Sequence, residues 1–301
     1  MLLAVAVMWG VASPIIKHTY TFIPPDVFLL YRFFVSSLIM LPILFFVHPR
    51  IWQHLAGISH HDWFILIVSG LLGSVGQLGL LFWGLEYTTS LDASVINATS
   101  PVLVTLAGYY FLKMHISRRE RIGLFIAFTG SLVIIIQPLL ETGKVFSGSV
   151  LGNFLILLGT LSWVAYVIIT KKLLRGNQSP FFLTTSMFFV GFLAMTPIVF
   201  FTRTPSSLAS ILSSPLSAHL GVLYMAVFSG TIAYWLYHKA QKTIDIASAN
   251  IFSYLSPVFT APLAYFWLGE PISATFIIGC VIIALGVFTA QFPFHRFQHV
   301  S

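Results

Sequence analysis

The chain has 301 residues, of which 57% are hydrophobic and 8% charged. A soluble domain carries about 25% charged residues, so this chain cannot cover itself with a polar surface, and its solvent is lipid. The net charge of +7 is spread over short loops between apolar runs, as in cytoplasmic loops of membrane proteins, and no soluble basic domain points to nucleic acid.

The first apolar run, 2–21, lacks the basic start of a cleaved signal and is followed by many others, so it reads as a retained span. It begins at once, and a few residues before Met1 are expected. A span needs about 20 apolar residues. Further runs fall at 26–47, 62–85, 91–112, 118–139, 149–173, 180–202, 216–239, 246–268 and 273–293. The expected fold is an all-α integral membrane protein of about ten transmembrane helices with short connections. Cys280, in an apolar run, is the single cysteine, so no intrachain disulfide forms.

Lys and Arg set the orientation. With the N-terminus in the cytoplasm, the inner side carries Arg50, Lys113, Arg118, Arg119, Arg121, Lys171, Lys172, Arg175, Lys239, Lys242 and Arg296. The outer side carries Lys17, Lys144 and Arg203. Both termini are thus expected in the cytoplasm, in a multi-pass protein of the cell membrane, read as a bacterial inner membrane.

The chain also repeats itself. At an offset of 156 residues, Ser100-Pro101-Val102 lands on Ser256-Pro257-Val258, Tyr109 on Tyr265, Ile122-Gly123 on Ile278-Gly279, and Gly130 on Gly286. A slightly smaller offset aligns "WGVASPIIK" (9–17) with "WVAYVIITK" (163–171). Matched Pro and Gly carry the signal, since apolar pairs recur by composition. Each unit holds about five spans, and an odd number turns one copy upside down relative to the other, a recurring build of secondary transporters.

Proline inside a helix removes a donor and frees the carbonyl four residues back. Pro101 is expected to free Asn97 and Pro257 to free Ser253, as two related helix kinks. Asn97, Thr99 and Ser100 surround one; Asn250, Ser253, Tyr254 and Ser256 surround the other. Such groups are tolerated where they face protein or a water-filled cavity. They read as lining for a substrate path, against the plainer reading of kinks that help helices pack.

In "WGVASPIIK", "GLEYTTSLDASVINATSPVLVTL" (84–106) and "YWLYHKAQKTIDIASANIFSYLSPVFTAPLAYFWLGEPIS" (234–273), the chain resembles the EamA group of ten-helix carriers in the drug/metabolite transporter superfamily. The resemblance covers units near 1–138 and 149–292. It departs at "LKMHIS" (112–117), where the family usually has a Gly-Glu ending, and at Arg32, which has no counterpart in the second unit. It implies a transporter of small metabolites, often an exporter of amino acids or related solutes, working by alternating access between two inverted five-helix repeats. It implies no enzyme, cofactor or metal. The partners are a small-molecule substrate and the lipid bilayer. Other readings are a drug or lipid exporter and, from another class, an intramembrane enzyme or a non-transporting receptor.

Trp9 and Trp163 occupy matching positions and either stack on substrate or pack as core; Tyr166 lies one turn on. Lys17 and Lys171, near span ends, read as snorkelling side chains, against the alternative that they attract anionic groups at each cavity mouth. Arg32 lies inside the second span, where a charge needs a partner or a cavity. Glu86 or Asp92 could pair with it, Asp26 less readily; the alternative is a substrate carboxylate. Gln77, Tyr234, Tyr237 and His238 are candidates for lining, although His238, near the inner end and beside Lys239, reads more readily as a surface residue. His60-His61-Asp62 is a weak metal signal. All eight acidic residues lie near span ends. The mid-membrane acid that small multidrug resistance proteins carry in their first helix is absent from helices one and six, which leaves facilitated diffusion or a different coupling. The expected substrate-binding set is Trp9, Arg32, Gln77, Asn97, Ser100, Trp163, Tyr166, Tyr234, Asn250, Ser253 and Tyr254.

Overall fold

The computed structural model describes residues 1–47, 49, 51–88, 93, 96–142, 149–268 and 274–291. Its regular elements are all helical. Helices α1 (Leu2–Tyr20) and α2 (Pro25–Val47) are followed by the short α3 (Ile51–Gly57). The next span is α4 (His60–Leu71), a π-helical segment (Leu72–Gly79) and α5 (Leu80–Tyr87). Then come α6 (Ser100–Leu112), α7 (Arg118–Thr142), α8 (Val150–Arg175), α9 (Pro180–Thr202) and the short α10 (Pro205–Ser213). A second interrupted span joins α11 (Leu216–Ala226), a π segment (Val227–Ile232) and α12 (Ala233–Thr243). The chain continues through α13 (Ile246–Asn250), a 3-10 turn (Ile251–Leu255), α14 (Ser256–Leu268) and α15 (Ala274–Gln291).

Among the described residues, seven helices are long and apolar enough to cross a membrane: Leu2–Tyr20, Pro25–Val47, His60–Tyr87, Val150–Arg175, Pro180–Thr202, Leu216–Thr243 and Ala274–Gln291. Two of the remaining expected runs are broken into shorter pieces at their prolines, and α7 opens on four charged residues. The surface is apolar: Phe46, Phe201 and Phe266 are each 84% exposed, which only lipid accommodates.

Local chemistry starts and stops these helices. Ser149 and Ser179 accept from the amides of Gly152 and Phe182 at the heads of α8 and α9. Ser117 and Glu120 exchange reciprocal bonds at the head of α7, a capping box. Within the spans, hydroxyls such as Thr105, Ser131 and Thr170 donate to carbonyls one turn back, so they cost little in lipid.

The expected proline kinks take another form. Pro101 lies in the first turn of a new helix, after a turn at Thr99. Pro257 likewise follows a 3-10 turn and sits in the first turn of α14. Proline is favoured there because its missing donor would be unpaired anyway. The Ser253 carbonyl is not freed: it accepts the Ser256 amide. On the other helix, the Ala98 carbonyl receives a side chain from across the bundle, the Tyr254 hydroxyl at 3.0 Å.

The matched glycines meet one another. A β-carbon on Gly123 would come 2.5 Å from the Gly286 carbonyl, and one on Gly130 would come 2.8 Å from the Gly279 carbonyl. Low numbers on α7 thus face high numbers on α15, an antiparallel crossing with backbones in contact. The two π segments also fall at nearly the same place under the 156-residue offset.

Backbone atoms cannot yield at the glycine crossing. Gly123→Val is therefore expected to destabilise the protein by about 1–3 kcal/mol, read as a lower melting temperature in detergent. Gly57, with nothing within 4 Å of its β-carbon position, is the control, and Gly57→Ala should melt at or slightly above wild type. Equal melting of wild type and Gly123→Val would rule out this seam.

Candidate substrate site

The centre is built where the first helix of each matched unit packs on the interrupted span of the other. Helix α1 lies against α11, α12 and the π segment between them; α8 lies against α5 and the π segment before it. A π turn leaves the regular backbone ladder incomplete, and a side chain from the opposing helix fills each gap. The Trp9 indole donates to the Ser229 carbonyl at 3.1 Å. The Ser162 hydroxyl donates to the Leu72 carbonyl at 2.9 Å.

Trp9 and Trp163 meet edge to face at 6.0 Å between ring centroids. Tyr234 lies 5.3 Å from Trp9, and Tyr237 stacks on Trp163 at 5.5 Å. Tyr166 packs on Trp163 at 5.6 Å. Each such pair contributes about 0.5–1.5 kcal/mol beyond area burial. Polar atoms ring this cluster. The Tyr234 hydroxyl donates to Gln77 Oε1 at 3.4 Å, and Asn250 Nδ2 donates to the Tyr237 hydroxyl at 2.8 Å. Phe188 bridges outward: its ring packs on Tyr234 at 5.5 Å, and the Arg32 guanidinium sits 5.8 Å from its centroid.

Of the expected set, Trp9, Trp163, Tyr166, Gln77 and Tyr234 come together directly. Asn250 joins through Tyr237, and Arg32 through Phe188. Asn97 stands apart, its Oδ1 accepting from Thr160 at 3.2 Å, one turn from Trp163 on α8. Tyr254 binds the Ala98 backbone, and the half-buried Ser100 and Ser253 stay in the two broken helices beside it. Tyr237, which also read as lining, belongs to the cluster. Phe188, one of 29 phenylalanines, carried no mark in the sequence.

Three expectations change. His238 is fully buried, with Tyr166 Oη at 2.7 Å and Thr184 Oγ1 at 2.8 Å on its two ring nitrogens. Lys171 does not snorkel: it is 5% exposed, and its ammonium donates to the Gln241 and Ile244 carbonyls at the end of α12, the favoured place for a cation. Arg32 is not paired with Asp26 or Glu86, because Arg203 takes both, at 2.6 Å and 3.6 Å. Its hydrogen bond to Asp26 raises the Arg203 pKa further. Asp92 lies outside the described residues.

Two further sets of contacts join helix ends outside the cluster. At one, Arg203 ties the end of α9 to the start of α2 and to α5, and Tyr31 meets His219 at 3.1 Å. At the other, the Lys171 contacts join α8 to α12. Between them the side chains fill the space: Tyr166 is 0% and Tyr237 1% exposed.

The EamA-like transporter family matches residues 1–136 and 150–291. The chain is 29% identical over 293 residues to the uncharacterized transporter YyaM of Bacillus subtilis (strain 168), covering 97% of this chain and 92% of that protein. An uncharacterized transporter of Archaeoglobus fulgidus is 27% identical over 299 residues, covering 98% of each. A WAT1-related chloroplastic protein of Arabidopsis thaliana, At3g02690, is 20% identical over 285 residues, covering 95% of this chain and 67% of that one. A solved crystal structure superposes with a TM-score of 0.75 at 14% identity, over 96% of this chain and 95% of the other, which speaks for the fold alone. With seven apolar helices and this match over nearly its whole length, the chain is a multi-pass membrane protein and belongs to the EamA-like transporter family.

Proposed function

We propose that this transporter moves a small metabolite, an amino acid or a related amphipathic solute, by alternating access between two inverted five-helix repeats, 1–138 and 149–292. The observation that carries the reading is the aromatic cluster of Trp9, Trp163, Tyr166 and Tyr234. It lies where each unit's first helix meets the other's interrupted third span, the place where repeat-built carriers hold substrate. Ten spans follow if Ile96–Leu112, Arg118–Thr142 and Ile246–Leu268 cross the membrane as well. The antiparallel glycine crossing and the corresponding π segments support inversion, since an axis in the membrane plane relates such elements. The Lys and Arg bias supports cytoplasmic termini in a bacterial inner membrane.

In this reading the packed aromatics describe a closed state. Solute enters when the contacts at one end part and leaves when those at the other do. Aromatic faces and amides suit an amphipathic body. Export is the favoured direction by family resemblance.

The direct test is uptake by proteoliposomes of mixed labelled amino acids, with and without a pH gradient. Flux without a gradient is expected; flux that requires one would replace facilitation by proton coupling. No amino-acid flux, with transport of aromatic cations or lipids instead, would give the drug or lipid exporter. Asn250→Ala strands the Tyr237 hydroxyl and should lower flux about tenfold with folded protein retained; unchanged flux would remove this side of the site.

The Arg203 contacts give a second test. The Arg203 side chain is 33% exposed and its partner Asp26 3%; because water reaches the guanidinium, the pair contributes about 1 kcal/mol at most after solvent screening. Arg203→Gln should then raise the open population up to about fivefold. A cysteine at the fully buried Val27, in a Cys280→Ser background, reads this as faster labelling by an impermeant maleimide. Unchanged labelling would mean that this pair does not hold the end closed.

A further inference from the structure

We propose that Arg32 is the anion-binding group of the central site, and that the solute is a monoanion with an apolar or aromatic body, a monocarboxylate rather than a cation. The proposal rests on the transport reading above and names the chemistry of its substrate.

Arg32 lies four residues from the midpoint of α2, about 6 Å along the axis, and its side chain is long enough to reach the middle of the membrane. It is 2% exposed. Among the described residues no carboxylate pairs with it, and its Nε has no hydrogen-bond partner. Of the acids offered as its partners, Asp26 and Glu86 are engaged by Arg203, and Asp92 lies outside the described residues. One face of the guanidinium rests against Phe188. Its ionisable neighbours are the tyrosines Tyr234 and Tyr20, and the Tyr20 hydroxyl is itself buried without a partner.

The other deeply buried cation is treated differently. Lys171 delivers its ammonium to two backbone carbonyls. An uncompensated buried charge is strongly unfavourable, and the fold compensates one and leaves the other open. What Arg32 lacks is a planar acceptor of one negative charge. A carboxylate matches the guanidinium fork, and the Tyr20 hydroxyl supplies a further donor. Through Phe188 the guanidinium borders the aromatic cluster, which would take the apolar body of the same solute.

The complementary charge is missing. The described acids whose side chains are seen, Asp26, Asp62, Glu86, Glu120 and Asp245, all stand at or beside helix ends. Among the described residues, a substrate ammonium would meet hydroxyls, amides and ring faces, with no carboxylate to reward its charge. The site should therefore read the negative group and be nearly indifferent to an amino group.

Three probes that share one phenyl body separate the possibilities: 3-phenylpropionate, phenylalanine and phenethylamine. With the purified full chain in nanodiscs, the first two are expected to raise the melting temperature and the third is not. Arg32→Gln should abolish the shifts by weakening anion binding at least about tenfold, and Arg32→Lys should restore part of them. Without ligand, Arg32→Gln should melt no lower than wild type, because among the described residues no acid pairs with the charge it removes and the glutamine can still pack on Phe188. A lower melting temperature would make Arg32 structural and overturn the proposal, as would equal stabilisation by phenethylamine or no stabilisation by any probe. Uptake in proteoliposomes separates this from the transport reading. Arg32-dependent binding without uptake would keep the anion site and end the transport reading. Amino-acid uptake unchanged in Arg32→Gln would keep transport and end the anion site.

Discussion

Lipid offers the backbone no hydrogen bonds, and this constraint shapes the molecule. A helix that breaks must find partners for the groups it exposes, and at four places here the partner comes from far along the chain. Pro14 inside α1 leaves the Gly10 carbonyl without its amide, and Thr260 of α14 donates to it at 2.7 Å. The two π segments take Trp9 and Ser162, and the Ala98 carbonyl takes Tyr254. Each of these four bonds joins a residue of the matched segment 1–136 to one of 150–291. The breaks in one segment are completed by the other, so neither could bury its backbone alone.

The same bonds explain why the polar centre sits where it does. An interrupted helix widens locally and exposes carbonyls, which draw indole, hydroxyl and phenol groups toward them. Those groups bring aromatic rings to the meeting of α1, α8 and the two π-containing spans. A polar, ring-lined centre inside an apolar bundle follows from satisfying the backbone, before any solute is considered. Close approach is secured elsewhere, by the glycines of α7 and α15, where the absence of side chains lets two backbones touch.

Much of the fold was legible because apolar run length and Pro or Gly position are one-dimensional signals. Gly123, Gly130, Gly279 and Gly286 stood out as an echo and proved to be one crossing. Pro101 and Pro257 marked real breaks, but sequence could not tell a kink from a helix start, since both follow from the same missing amide. Side-chain partners were harder. His238 looks like a surface residue beside Lys239, yet on a helix the two point different ways: one reaches Tyr166 and Thr184, the other lies over Trp235. Lys171 reads as snorkelling by its depth alone, because the carbonyls that hold it belong to a helix seventy residues on. Arg32 announced itself as a problem; that Arg203 would take Asp26 and Glu86 was a matter of tertiary geometry.

The two ends of the proposed path are held by unequal chemistry. At the Arg203 end, a partly exposed ion pair works against water and contributes about 0–1 kcal/mol. At the Lys171 end, a buried ammonium donates to two carbonyls, and charged hydrogen bonds of that kind contribute about 1.5–3 kcal/mol each. Parting the first exposes groups that water solvates readily. Parting the second strands carbonyls and an ammonium until water reaches them. In the proposed cycle the resting molecule therefore opens more easily at the Arg203 end, on the side where Arg32 enters the membrane. With cytoplasmic termini this is the outer end, so an exported solute, admitted through the Lys171 end, meets the aromatic cluster first and leaves past the guanidinium. Opening at the Lys171 end is then the harder step of the cycle, the one that the solute's own binding energy must help to drive.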